Sequence, residues 1–360
     1  MTNPLNKVKQ ISADYAQMDA KDKKRFWVDG ILNNALYILM AIFVVYTASV
    51  KENFLSWGSF ANLITQVAAY LPMALGIAGC IVLTGTDLSA GRVAGLTAAV
   101  AGVLLQKTDF ANKMFANLPE VTIGWIFVVL LIVIIIGAFI GFVNGFFVAK
   151  FSLHPFIVTL STQLMTYGII LWFFGLNGNN GQPISGLSKE YKDFVGGELF
   201  RLGGVAVPRY VLYAVILVFV MWFIWNKTAF GKNMFAVGSN AEAAKVSGVN
   251  VFWTTVLVHT LAGAMYGYSG FVEGVRSGSV AANTGLNAEC DAIAACVIGG
   301  VSFVGGTGKV SGIVLGVFLL RIIFVALNFL SINPNMQYVI KGLIILVAVS
   351  IDMRKYLVRK

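Results

Sequence analysis

Ten apolar runs, most of them about 20 residues long, leave this chain few folds to choose from. They fall at about 31–49, 62–84, 91–106, 121–149, 155–175, 208–226, 251–275, 286–300, 310–330 and 335–351. Runs of that length match helices crossing a bilayer, and the period-two alternation of a transmembrane barrel strand is absent. Hydrophobic residues make up 58% of the chain, charged residues 12%, and the mean hydropathy is +0.81. A soluble domain of this length has no use for so much apolar surface. The expected fold is an all-α, polytopic membrane protein of about ten transmembrane helices with a two-fold internal repeat. The eighth run is short enough to be a half-helix.

The net charge of +10 does not require a nucleic acid, because Lys and Arg gather on the cytoplasmic side of membrane proteins. Residues 1–30 hold six of them: Lys7, Lys9, Lys21, Lys23, Lys24 and Arg25. With that end inside, the cytoplasmic segments carry sixteen Lys and Arg, and the outer loops eight. Arg321 and Lys341 remain within spans. The expected organisation is a cytoplasmic segment 1–30, a membrane domain 31–351 with a cytoplasmic loop at 227–250, and a cytoplasmic tail 352–360. Ile11, Tyr15 and Met18 share one helical face, with Phe26 and Trp27 at headgroup level, so an interfacial helix and a disordered tail both suit the first thirty residues. No signal peptide is expected there. Cys80, Cys290 and Cys296 have no metal-ligand spacing and are odd in number, which predicts buried, inert thiols.

Asn226 to Asn250 is a long polar interruption with helix-boundary signals of its own. Ser239 followed by Glu242 predicts a capping box. Good helix formers then lead to Gly248, a residue suited to a left-handed stop. A helix from Asn240 to Ser247 would be about 12 Å long and needs a surface to pack on. An alanine-surfaced helix of this kind suits docking of a partner protein; the alternative is a plain connector.

Gly137, Gly141 and Gly145 recur at spacing four, as do Gly263 with Gly267, Gly270 with Gly274, and Gly312 with Gly316. These predict helix faces in close backbone contact. Two glycine-rich breaks, at Gly85, Asp87 and Gly91 and at Gly299, Gly300, Gly305 and Gly306, form a weak internal repeat or a chance likeness. Gly308-Lys309 is not a phosphate loop, since Phe303 and Val310 stand where the motif needs Gly and Ser or Thr. His154 and His259 stand alone in the sequence. No catalytic residue, bound cofactor or metal is expected, and the chain has no energy-converting chemistry of its own.

Three stretches resemble one known family: residues 85–92 (GTDLSAGR), 228–249 (TAFGKNMFAVGSNAEAAKVSGV) and 291–300 (DAIAACVIGG). They are similar to the ribose/galactose-type ABC importer permeases, and the likeness runs from the first span to the C-terminus. The stretches TDLSAGR and KVSGVN resemble the galactose/methyl-galactoside branch. The resemblance implies a non-enzymatic transport subunit of the bacterial inner membrane, with both termini cytoplasmic. It implies a second copy of the chain, a separate ATPase subunit, a soluble or lipid-tethered sugar-binding protein, and a monosaccharide substrate, galactose or methyl-galactoside above others. Phe230, Gly231, Asn240, Ala241, Glu242, Ala243, Ala244, Val246 and Gly248 match the family's ATPase-contacting loop.

Sugar transfer needs uncharged polar groups inside spans. Gln66, Asn144, Thr159, Gln163 and Asn283 are candidates, with Tyr167 and Tyr266 as aromatic faces. For each the alternative role is an interhelical hydrogen bond, worth about 0.6 kcal/mol. Charges at membrane depth are more informative. Glu273 and Arg276 are spaced to pair on one helix face, and Glu289 and Asp291 begin the eighth span. These four are candidates for an outward gate or a binding-protein dock, or for structural ion pairs. An ion-coupled secondary sugar transporter is the alternative function; it calls for carboxylates in several central spans, and few are present. An intramembrane enzyme lacks any paired constellation.

Overall fold

The computed structural model describes Asp19, Lys23, residues 35–115 and residues 117–357. The expected N-terminal interfacial helix, and residues 31–34 of the first run, lie outside them. Thirteen α-helices occur among the described residues: α1 (Ala35–Val50), α2 (Trp57–Val82), α3 (Ala90–Leu104), α4 (Ile123–Phe151), α5 (Pro155–Phe174), α6 (Lys189–Gly196), α7 (Tyr210–Lys227), α8 (Ala229–Ser239), α9 (Ala241–Val246), α10 (Val251–Ser277), α11 (Ala288–Ile298), α12 (Val310–Phe329) and α13 (Pro334–Leu357). Each of the ten apolar runs has its helix. Five of these (α2, α4, α5, α7 and α12) are both long and apolar enough to cross a membrane. The tenth run continues as helix to Leu357, so part of the expected tail extends the last helix.

Helix boundaries follow local chemistry. Thr122 begins α4 by accepting a hydrogen bond from the Trp125 N–H. That helix stops at Ser152, whose φ of 52° is left-handed. Pro155 then occupies the first turn of α5, where a missing N–H costs nothing.

The long segment between α5 and α7 is not a bare loop. It holds α6 and an antiparallel hairpin of β1 (Glu198–Leu202) and β2 (Val205–Pro208), turned by Gly203 and Gly204, both at positive φ. The hairpin lies on the start of α2.

The spaced glycines become contact faces. A β-carbon at Gly141 would run into the His259 carbonyl, and one at Gly137 into the Gly263 carbonyl, so α4 and α10 meet backbone to backbone. Gly316 meets Ala295, and Gly312 meets Gly299, which seats α12 on α11 in the same manner. Helices α2 and α10 form the centre. Helix α10 packs on α3 and α4, while α2 packs on α11 and α12; α3 touches α5 as α11 touches α13. This exchange of partners is the pattern of a two-fold internal repeat, in which α2 and α3 answer to α10 and α11. The two glycine-rich breaks are neighbours: the Gly306 N–H donates to the Val82 carbonyl at 2.9 Å.

Loops sort to two ends. Residues 83–89, the start of α5, α8 and residues 301–309 touch one another at one end, through Gly85 on Pro155 and Gly238 on Val82 and Gly306. At the other end the Lys107 N–H reaches the Gly186 carbonyl at 2.8 Å, and Ile184 bridges Val280. Phe54 meets Phe329 edge-on at 5.4 Å.

Candidate functional site

The polar interruption folds as two consecutive helices rather than one. Thr228 caps α8 by accepting from the Gly231 N–H at 3.2 Å. The expected capping box does not form. Asn240 is the N-cap of α9, its Oδ1 accepting from the Ala243 N–H at 2.9 Å, while the Ser239 hydroxyl turns back to the Phe235 carbonyl at 2.8 Å. An amide side chain in extended backbone makes that bond as well as a hydroxyl does, so the cap shifts by one residue. Gly248 ends the segment at φ 85°, the left-handed stop its position suggested.

This elbow is fastened from one side only. Gly238 and Ser239 sit against Val82 and Gly306, with Thr84 beside Gly305. Gly231 packs on the Ile224 and Trp225 carbonyls, Phe230 is half-buried, and Ala244 is buried. Ala241, Glu242 and Ala243 face outward, and Val246 is 88% exposed, which is high for an apolar side chain on an ordered helix. The elbow thus presents a small apolar knob, locked to the ends of α2 and of the loop before α12.

A second feature lies among α2, α10, α11, α12 and α13. Two adjoining clefts of about 250 and 190 Å³ share Tyr70, Asp291, Tyr338 and Lys341. Gln66, Arg321 and Gln337 line the first, Glu273 and Ser269 the second. Asp291 accepts from Arg321 Nη2 at 2.6 Å, and Lys341 Nζ lies 2.6 Å from its other oxygen. The Arg321 guanidinium also stacks on the Tyr70 ring at 3.5 Å. Acceptors, donors and aromatic faces side by side suit a ligand bearing several hydroxyls.

Of the residues singled out in the sequence, Gln66, Glu273 and Asp291 meet in these clefts. Glu273 and Arg276 pair at 2.7 Å, as their spacing suggested. Gln163 and Glu289 meet at 3.4 Å, and Tyr167 lies under Arg92 at 4.1 Å. Asn283 stands exposed in the 278–287 loop. Asn144 and Thr159 are fully buried and hold the α2–α3 turn. Asn144 donates to Ser89 Oγ at 3.1 Å and accepts from Thr162 at 2.6 Å; Thr159 accepts from the Leu88 N–H at 3.1 Å. Tyr266 is buried against Gly76. Sequence reasoning passed over Tyr70, Arg321 and Lys341. The signal was present for two of them, since charged residues inside apolar spans are rare and functional.

The breaks are turn devices. Asp87 Oδ1 accepts from the Ser89 N–H and hydroxyl at 2.9 and 2.6 Å. A β-carbon at Gly91 would collide with the Gly285 carbonyl and the Glu289 carboxylate, so the N-termini of α3 and α11 converge there. Gly299 lies against Gly312, and Gly300, Gly305 and Gly306 take positive φ. Helices that begin inside the bundle rather than at its ends are a feature of transporter cores.

Comparison with known proteins agrees with this architecture. Residues 59–349 match the family described as branched-chain amino acid transport system / permease component. The galactose/methyl galactoside import permease protein of Escherichia coli strain K12 is 43% identical over 343 residues, 95% of this chain and all of that protein. Its counterpart from Haemophilus influenzae is 41% identical over the same shares. The ribose import permease protein of Bacillus subtilis strain 168 is 32% identical across 93% of this chain and 97% of its own length. No solved structure matches. A family match across nearly the whole helical bundle, with end-to-end relatives all named as import permeases, means that this chain belongs to the permease components of the ribose/galactose-type ABC importers, transport subunits rather than enzymes.

Proposed function

We propose that this chain forms the sugar path of an ATP-driven importer, passing galactose or a methyl galactoside inward across the bacterial inner membrane. The observation that carries the reading is the α8–α9 elbow. Its outer side presents Glu242, Ala243 and the 88% exposed Val246, while its inner side is seated on Val82 and Gly306. A force applied to that knob is delivered directly to α2 and to the loop between α11 and α12, and hence to Tyr70 and Asp291 in the clefts. In this reading the elbow is cytoplasmic, as are both termini, and a separate ATPase subunit grips it. A sugar-binding protein docks at the opposite end, near residues 176–209 and 278–287. Two copies of the chain assemble in the lipid bilayer to enclose the path. The relatives are named galactose/methyl galactoside import permeases, which favours this reading over an ion-coupled carrier.

The test is uptake of labelled galactose into proteoliposomes holding this chain with its ATPase, binding protein outside and ATP inside. Glu242→Arg combined with Val246→Arg is expected to leave insertion intact, abolish ATP-driven uptake and lose co-purification of the ATPase. Uptake that persists without the ATPase and collapses with an uncoupler overturns the reading.

A further inference from the structure

The fold brings together three side chains whose sequence positions give no hint of a common role. Cys80 stands at the end of α2, Asp87 in the α2–α3 turn and His259 in the third turn of α10, all almost wholly buried. Cys80 Sγ lies 3.5 Å from His259 Nδ1, and Asp87 Oδ2 lies 4.0 Å from the same nitrogen. One ligand atom from each falls within 4.8 Å of the other two.

Two unpartnered oxygens show that the cluster is polar but unsatisfied. Asp87 Oδ1 is occupied by Ser89, yet Oδ2 is fully buried with no hydrogen-bond partner. The Tyr266 hydroxyl faces Asp87 and Cys80 and also lacks a well-formed hydrogen bond. A buried carboxylate without compensation is costly. Among the described residues, the partner within ion-pair reach of Asp87 is His259, which is charged only when protonated.

We propose that Cys80, Asp87 and His259 bind one divalent cation of the zinc class. The donor set, a thiolate, an imidazole nitrogen and a carboxylate oxygen, suits that borderline-soft ion. Ligand distances of about 2.3 Å to sulfur and about 2.1 Å to nitrogen at a tetrahedral angle place those two atoms about 3.6 Å apart. The separation found is 3.5 Å. Asp87 Oδ2, 4.0 Å from His259 Nδ1, has to move closer on binding while Oδ1 stays on Ser89. On binding, the Cys80 thiol gives up its proton to bulk solvent, and the thiolate and carboxylate together neutralise the ion. A neutral site is what an apolar interior tolerates. The fourth position falls to a water or to the Tyr266 hydroxyl. Such an ion ties the α2–α3 turn to α10 between the two halves of the repeat, and it is a fixed structural element rather than part of the sugar path.

Metal content of the full chain, purified without chelator from cells grown with added zinc, tests this independently of transport. Close to one zinc per protomer is expected by mass spectrometry, lost in Cys80→Ser and in His259→Asn but kept in Cys296→Ala, a buried thiol outside the cluster. Protein produced with Co2+ in place of zinc is expected to show a thiolate-to-cobalt charge-transfer band. Wild-type protein without metal above background and without that band overturns the proposal, leaving a neutral hydrogen-bonded triad. Metal retained equally in all three variants overturns it as well, being adventitious ion only. Both outcomes leave the importer reading untouched.

Discussion

Arg321 on α12 donates to the Asp291 carboxylate on α11 at 2.6 Å and lays its guanidinium on the Tyr70 ring of α2. One side chain therefore joins three helices, two from the second half of the repeat and one from the first. Lys341 of α13 closes the group from the other side of Asp291. Two cations share one carboxylate at the wall of the polar clefts, so a ligand hydroxyl that engages Asp291 competes with them.

Removing that carboxylate leaves the buried Arg321 and the half-buried Lys341 without their shared partner. Asp291→Ala is expected to lower stability by about 3–5 kcal/mol, read as a large drop in the thermal unfolding midpoint of the detergent-solubilised protein. Pairing it with Arg321→Met is expected to recover part of the midpoint but not transport. Full additivity of the two losses contradicts the coupling.

Tyr70 and Gln66 face the clefts while Asn144 and Thr159 do not. Tyr70→Ala and Gln66→Ala are therefore expected to reduce sugar flux in proteoliposomes while ATP hydrolysis stays intact. Asn144→Ala acts through the Ser89 turn instead and is expected to lower the unfolding midpoint. Equal effects of all three on flux, at unchanged midpoint, contradict this division.

The backbone contact between α4 and α10 leaves no room at Gly141. Gly141→Ala is expected to cost about 1–3 kcal/mol through overpacking against His259. Gly168, on α5 with open space around it, is the control and is expected to accept alanine without loss. Thermal unfolding of the two variants side by side checks this.

Asn240 rather than Ser239 caps α9. Asn240→Ala is expected to destabilise that helix by about 1 kcal/mol and to lower the coupling of ATP hydrolysis to uptake. Ser239→Ala, whose hydroxyl bonds back into α8, is expected to couple normally. Uptake per ATP hydrolysed distinguishes the two.

Local chemistry explains what was legible before the structure. An apolar run in a bilayer has helix as its solution, so the run at 251–275 became Val251–Ser277 and that at 310–330 became Val310–Phe329. Gly137, Gly141 and Gly263 announced close packing because a missing side chain in a span has few other uses. The elbow was legible as a capped, glycine-terminated segment, although the choice between adjacent caps at Ser239 and Asn240 depended on which side chain α8 left free.

The chain by itself thus determined its helices and the glycine faces that touch, because each follows from residues within a few turns of one another. Tertiary structure alone decided which polar groups on different helices meet. Gln66, Glu273, Asp291, Arg321 and Lys341 lie on five different helices, and Cys80 and His259 are 179 residues apart. Inside a bundle a side chain's role depends on which helix faces it, and periodicity within one helix carries no record of its neighbour.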